Sequence, residues 1–157
     1  MTPAIETAKK ANIAFRVHEY RHDPTAKSYG EEAADVLGVG HDRVFKTLIA
    51  ATDGEPTRLA VAVIPVAKRL DLKALAAAIG VKRMVMADGV DAERATGYVV
   101  GGISPLGQRK RLPLLLDETA LAQKTIYVSA GRRGLEIELA PDDLLALSNG
   151  KTAVIAR

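Results

Sequence analysis

Val44-Phe45-Lys46-Thr47-Leu48-Ile49-Ala50-Ala51 and Leu59-Ala60-Val61-Ala62-Val63-Ile64-Pro65-Val66 are the two stretches that decide the fold. Both are apolar runs of strand length. Asp53-Gly54-Glu55-Pro56 between them is turn chemistry, so the segment reads as a β-hairpin. Alternation along the first strand puts Phe45, Thr47 and Ile49 on one side and Val44, Lys46 and Leu48 on the other. Lys46 is the anomaly. An unpaired ammonium is costly to bury, yet this one stands between apolar neighbours on a strand that otherwise reads as buried. Either it snorkels at a sheet edge or it is a cation placed for a ligand. The hairpin alone leaves both readings open.

On either side of the hairpin the elements alternate in type. Thr2 and Pro3 cap and open a first helix, and Ala14–Glu19 reads as a strand. Tyr20–Lys27 is a polar loop. Ser28 with Glu31 is a capping-box pattern that starts a helix ended by Gly38. Asp71 caps a helix that runs to Ile79 and closes at Gly80, Lys82–Met86 is a short strand, and Asp88–Ala95 is a helix ended near Gly97. Tyr98–Gly101 reads as a brief extended stretch. Leu112–Leu116, Thr125–Ser129 and Leu135–Leu139 are strands, Pro141–Leu147 a helix and Thr152–Ile155 a last strand. Some strand connections are of hairpin length and others contain helices. That pattern favours a mixed, partly antiparallel sheet with helices outside it over a doubly wound parallel sheet.

Composition removes several function classes. The chain has 157 residues, which suits one domain spanning 1–157 with a core of its own. Zero cysteines exclude a disulfide scaffold, a thiolate metal site and a cysteine nucleophile. With only His18, His22 and His41 besides, no metal and no cofactor is expected. Aromatics are 4% of residues and Trp is absent, too few rings for a single-strand stacking platform. The net charge of +3 permits a polyanionic partner without demanding one. No signal peptide and no apolar run of membrane-spanning length is visible, so a cytoplasmic protein with no membrane partner is expected.

Gly101-Gly102-Ile103-Ser104-Pro105-Leu106-Gly107-Gln108-Arg109 is the most unusual segment. It fails as a nucleophile elbow, because Leu106 stands where the second glycine belongs. It also fails as a phosphate loop, because Gln108-Arg109 replaces Lys-Ser/Thr, and it lacks the dinucleotide G-x-G-x-x-G. On spacing alone it is a turn between strands. Two details favour a site. Adjacent glycines let backbone approach a ligand closely. In addition, no carboxylate occurs between Glu93 and Asp117, while Arg94, Arg109, Lys110 and Arg111 are basic.

Several blocks taken together carry a resemblance. They are Thr2-Pro3-Ala4, Tyr20-Arg21-His22-Asp23-Pro24, Val44-Phe45-Lys46-Thr47-Leu48, Leu59 to Val66, Leu70-Asp71-Leu72-Lys73 and Met86-Ala87-Asp88. They continue with Thr96 to Gly107, Thr125-Ile126-Tyr127-Val128-Ser129 and Arg133-Gly134-Leu135-Glu136-Ile137. In this order, over essentially the whole chain, the sequence resembles the YbaK family of trans-editing aminoacyl-tRNA deacylases. It is also similar to the editing domain inserted in bacterial prolyl-tRNA synthetases. The resemblance implies an α/β chain of the α+β type, with a mixed, largely antiparallel, barrel-like sheet and helices packed around it. It implies hydrolysis of the ester between an amino acid and the tRNA 3′ end, with Cys-tRNA(Pro) as the substrate.

By the same resemblance Lys46 is the first catalytic candidate, holding the phosphate of the terminal adenosine or orienting the ester carbonyl. The backbone of Gly101, Gly102, Ile103 and Ser104 binds the aminoacyl carbonyl, and Tyr20, Ser129 and Glu136 line the pocket. Family members specific for cysteine often carry Asp where this chain has Glu136, and Gly is usual where it has Ala130. Arg109, Lys110 and Arg111 are the expected tRNA contacts, and prolyl-tRNA synthetase is the expected partner. No residue here supplies an obvious nucleophile, and the family offers one from the substrate: the thiol of a cysteinyl ester attacks its own carbonyl. Two other readings stand beside this one. The first is a deacylase for another misacylated tRNA such as Ala-tRNA(Pro). The second is a non-catalytic module that binds tRNA or a synthetase.

Overall fold

The structure is a computed structural model that describes residues 1–26 and 28–157. The end of the expected polar loop, Lys27, lies outside the described residues. The hairpin forms as read: β2 (Phe45–Thr52) pairs antiparallel with β3 (Glu55–Pro65), Lys46 opposite Ile64 and Thr47 opposite Val63. Around it run α1 (Pro3–Ala11), β1 (Phe15–Glu19), α2 (Tyr29–Leu37), α3 (Leu72–Ile79), β4 (Met84–Met86), α4 (Gly89–Thr96), β5 (Leu114–Asp117), β6 (Ile126–Arg132), β7 (Leu135–Leu139), α5 (Pro141–Ser148) and β8 (Lys151–Ala153). The caps are those the sequence announces. Thr2 Oγ1 accepts from the Ile5 N–H, Ser28 Oγ from Glu31 and Asp71 Oδ1 from Ala74, each satisfying a first-turn N–H.

The strands form two sheets, in the orders β4-β2-β3-β5-β8 and β1-β7-β6. The β3–β5 and β5–β8 pairs are parallel and the other four antiparallel, the expected mixed and largely antiparallel arrangement. The barrel does not close. Among the described residues one bridge joins the two sheets, Val44 to Tyr127, where the Tyr127 N–H donates to the Arg43 carbonyl over 2.8 Å. Beyond that bridge β2 is next paired on this edge by β4, at Ala50–Thr52. Among the described residues, no strand pairs with β2 between the two.

The larger sheet is buried on both faces, which is why Leu59–Val66 reads as a continuous apolar run. Phe45, Ile49, Val61, Val63 and Leu116 pack toward Ile126, Val128 and Ile137 of the smaller sheet. Ala60, Ala62, Ile64 and Leu115 pack on the opposite face under Leu75 and Ala76 of α3. Each fully buried Val, Leu, Ile or Phe side chain among these contributes about 1.5–3 kcal/mol.

Among the elements that differ from the sequence reading, three have a plain local reason. Tyr98–Gly101 is a turn, not extended chain: the Gly102 N–H closes on the Val99 carbonyl at 2.9 Å, and Gly101 takes φ +94°. β5 begins at Leu114, after Pro113, which has no N–H for a ladder. It runs on to Asp117, whose buried carboxylate accepts the Ile155 and Ala156 N–H groups at 3.0 Å. Those N–H groups are therefore unavailable to a sheet, and β8 ends at Ala153 rather than Ile155. No helix among the described residues is long and apolar enough to cross a membrane.

Candidate active site

A cavity of about 410 Å³ opens where the two sheets part, over the unpaired stretch of β2. Its wall includes Tyr20, Lys46, Gly101, Ile103, Ser129 and Glu136, brought together from β2, β6, β7, the end of β1 and the glycine turn. Residues 116 positions apart in sequence thus share one wall because, past the Val44–Tyr127 bridge, no strand of the β1–β7–β6 sheet pairs with β2 among the described residues.

Lys46 is half-buried, and its ammonium donates to the Val66 carbonyl at 3.3 Å. Among the described residues no carboxylate lies within salt-bridge reach of it. Burial lowers its pKa, the charge of Arg69 adds to that, and Glu31 opposes it. Lys46 lines the cavity.

Glu136 stands on β7 opposite Ser129 of β6 and His18 of β1. It is 7% exposed, and burial pushes its pKa up to about 8, so at neutral pH the group is mostly the uncharged acid. Tyr20 is anchored by its N–H on the Gly134 carbonyl at 2.9 Å. Its phenol is pushed up to about 12, by burial first and then by Glu136 and Glu32, which keeps it a hydrogen-bond donor. Ser129 Oγ donates to the Gly102 carbonyl at 3.2 Å and accepts from the Gly131 N–H at 3.1 Å. It therefore lines the cavity and also ties β6 to the glycine turn.

That turn is held from several sides. The Val100 N–H donates to Glu93 Oε2 at 2.7 Å, and the Tyr98 hydroxyl donates to the Leu106 carbonyl at 2.6 Å. Gly101 cannot carry a side chain here. A Cβ would sit 2.6 Å from Arg133 Nε and 3.0 Å from Tyr29 Cε2, at a φ that L-residues avoid.

Two members of the expected carbonyl-binding backbone are placed otherwise. The Gly102 N–H is spent on Val99, so it is not a donor for a ligand. Ser104 is fully buried outside the cavity wall, its Oγ accepting from the Leu106 N–H at 3.2 Å. Arg109, Lys110 and Arg111 are exposed but also lie outside the wall. The N–H groups of Arg109 and Lys110 cap the end of α4 on Thr96 and Ala95. Among the described residues the wall's cations are Lys46, Arg132 and Arg133.

Tyr29, Arg133 and Thr47 are wall residues that the sequence reading missed. The Arg133 guanidinium lies 3.7 Å over the Tyr29 ring, and the edge of that ring meets His22 at 5.5 Å. Arg133 and Thr47 stand inside the blocks quoted above, which was their only signal. Tyr29 had none beyond being a rare aromatic.

Comparison with known proteins fits this geometry. The model of the aminoacyl-tRNA editing domain family matches residues 23–147. The chain belongs to that family. An Enterococcus faecalis protein named "Putative Cys-tRNA(Pro)/Cys-tRNA(Cys) deacylase EbsC" is 42% identical over 154 residues, covering 98% of this chain and 92% of that one. The solved structure of a hypothetical protein superposes with a TM-score of 0.86 at 26% identity, covering 99% of both chains. A crystal structure described as "a putative trans-editing enzyme for prolyl tRNA synthetase" superposes at 0.81 with 24% identity, over 98% of this chain and 92% of that one, and shares the fold.

Proposed function

We propose that this chain, acting as one domain over 1–157, is a cytoplasmic trans-editing deacylase that hydrolyses Cys-tRNA(Pro) alongside prolyl-tRNA synthetase. The observation that carries the reading is the convergence of Lys46, Gly101, Ser129 and Glu136 on one cavity. Lys46 supplies the positive charge, to the phosphate of the terminal adenosine or to the ester carbonyl. The carbonyl donors of the glycine turn are the N–H groups of Gly101 and Ile103, since that of Gly102 is taken. One such donor aimed at the developing oxyanion contributes about 3 kcal/mol. Glu136, uncharged at neutral pH, offers an O–H or an acceptor to a small, weakly polar side chain.

The nucleophile is the substrate's thiol. Its sulfur bonds to the acyl carbon, the bond from that carbon to the 3′ oxygen breaks, and the thiol proton passes to the departing 3′ hydroxyl. Water then opens the thiolactone. Such intramolecular attack draws up to about 7–11 kcal/mol from proximity alone, so a pocket that only positions the ester suffices. Arg109, Lys110 and Arg111 contact phosphates of the acceptor stem, which makes deacylation of tRNA weaken steeply with added salt.

Cysteinyl, alanyl and prolyl esters on one proline tRNA test the reading. The cysteinyl ester is expected to be hydrolysed fastest. A faster alanyl ester would move the assignment to Ala-tRNA(Pro), and no hydrolysis of any ester would leave a binding module. An S-methylated cysteinyl ester cleaved as fast as the free one would exclude attack by the substrate thiol.

A further inference from the structure

The unpaired stretch of β2 carries polar groups of its own. The Val44 carbonyl accepts from the Val66 N–H at 2.9 Å, so Val44 faces β3. The carbonyls of Arg43 and Ile49 face the other way, accepting from Tyr127 at 2.8 Å and Ala87 at 3.0 Å. In an antiparallel ladder the facing direction alternates along the strand. Thr47, in register with Val63, therefore turns its N–H and its C=O away from β3, toward the side where the sheets part. β6 reaches this edge at Val44 and β4 at Ala50, and among the described residues no strand takes up Thr47. Thr47 lines the cavity, and its hydroxyl is buried without a partner. Backbone groups at such a place are satisfied by water or by a ligand.

The geometry points to the free edge at Thr47 as the anchor of the aminoacyl group: the Thr47 C=O accepts from the substrate's α-amine, and its N–H donates to the ester carbonyl oxygen. This rests on the deacylase reading. An aminoacyl ester presents an amine and a carbonyl on either side of one carbon, the spacing of a residue in a strand. It docks as a single residue added to the edge of β2, the smallest case of strand addition. The protonated amine makes the bond to Thr47 charge-assisted. The arrangement reads the α-amine through backbone, so no side-chain pattern in the sequence reveals it.

The test compares cysteinyl with 3-mercaptopropionyl, its des-amino analogue, on the same tRNA, each as acceleration over its spontaneous hydrolysis. The analogue keeps the thiol and loses only the amine. The cysteinyl ester is expected to be accelerated about 10- to 100-fold more. Equal acceleration would overturn the edge anchor and leave the deacylase reading standing, whereas no acceleration of either ester would remove both. Thr47→Val keeps the backbone and removes the hydroxyl, so the preference is expected to persist. Its loss would assign the amine to the side chain and overturn the backbone pairing. A readout without turnover comes from 3′-cysteinylamido-3′-deoxyadenosine, a stable amide. Titrating it is expected to move the Thr47 amide proton resonance downfield, and an unmoved resonance would count against the pairing.

Discussion

Glu136 and Glu138 sit two residues apart on β7, on the same face of the strand, and meet opposite fates. Glu138 is enclosed by partners: His18 Nε2 lies 2.9 Å from Oε1, the Thr125 hydroxyl donates to Oε2 at 2.6 Å, and Arg43 stands 3.5 Å away. Burial alone would raise its pKa. The hydrogen bonds from Thr125, His18 and Tyr127 and the charge of His18 outweigh that and hold it below the ordinary carboxylate value. Glu136 is more deeply buried and has no cation within salt-bridge reach among the described residues. The satisfied carboxylate ties β1, β6 and β7 to the start of β2. Glu136 instead lines the cavity. A deeply buried carboxyl with a raised pKa in a cavity wall is a place to look for a contact to substrate.

The largest effect expected from breaking the cavity side comes from Lys46→Ala. Among the described residues its ammonium bonds only the Val66 carbonyl, so little of the fold depends on it. Deacylation is expected to fall by about 10²-fold or more, the scale of a lost electrostatic donor, with circular dichroism and Tm nearly unchanged. An unchanged rate would take Lys46 out of the site. The same truncation at Arg43, on the structural side, is expected to lower Tm and leave turnover of the folded fraction intact.

The two glutamates predict opposite slopes of stability against pH. Glu136 has a folded pKa of about 8 against an ordinary 4.5. Its contribution is fully present below pH 4.5 and is lost as pH rises through about 8, because the unfolded chain ionises first. The loss is on the order of 2–5 kcal/mol. Glu136→Gln mimics the protonated acid and should flatten this slope, making the variant more stable than the parent at alkaline pH. Glu138, with a lowered pKa, contributes stability above the ordinary carboxylate value and loses it as pH falls through the folded one. Glu138→Gln should cost about 1–2 kcal/mol at neutral pH, with the difference vanishing in acid. Urea melts of both variants, from acid well below the ordinary carboxylate pKa up to alkaline pH above about 8, measure this, and parallel slopes would end the comparison.

The contrast also marks what the sequence made legible. Strand and helix positions follow from periodicity and caps, so the β2–β3 hairpin and the caps at Ser28 and Asp71 could be read directly. Asp117 and β8 could not, because a buried carboxylate that captures two backbone N–H groups from 38 and 39 residues away leaves no periodic trace. At the site, Lys46 stood out because a lysine in an apolar strand is anomalous. Periodicity does not distinguish Glu136 from Glu138; the family resemblance picked out Glu136, and packing gives the physical difference between them. Gly102 and Ser104 belong to the same quoted block as Gly101, yet hydrogen bonds inside the turn consume their polar groups.

Ser129 and Ser104 give the smallest and sharpest test of that last distinction. Both hydroxyls are bonded to backbone, and each alanine substitution should cost about 1 kcal/mol of stability. Only Ser129 lies in the cavity wall, where its Oγ also fixes the Gly102 carbonyl and so the position of Gly101. Ser129→Ala should therefore lower the deacylation rate several-fold, whereas Ser104→Ala should lower Tm by a similar amount and leave the rate unchanged. If both variants lost activity in step with stability, turn rigidity alone would account for Ser129, and its place in the wall would carry no chemistry. If Ser104→Ala lost more activity than Ser129→Ala, the buried end of the turn, not its cavity face, would control the position of the carbonyl donors.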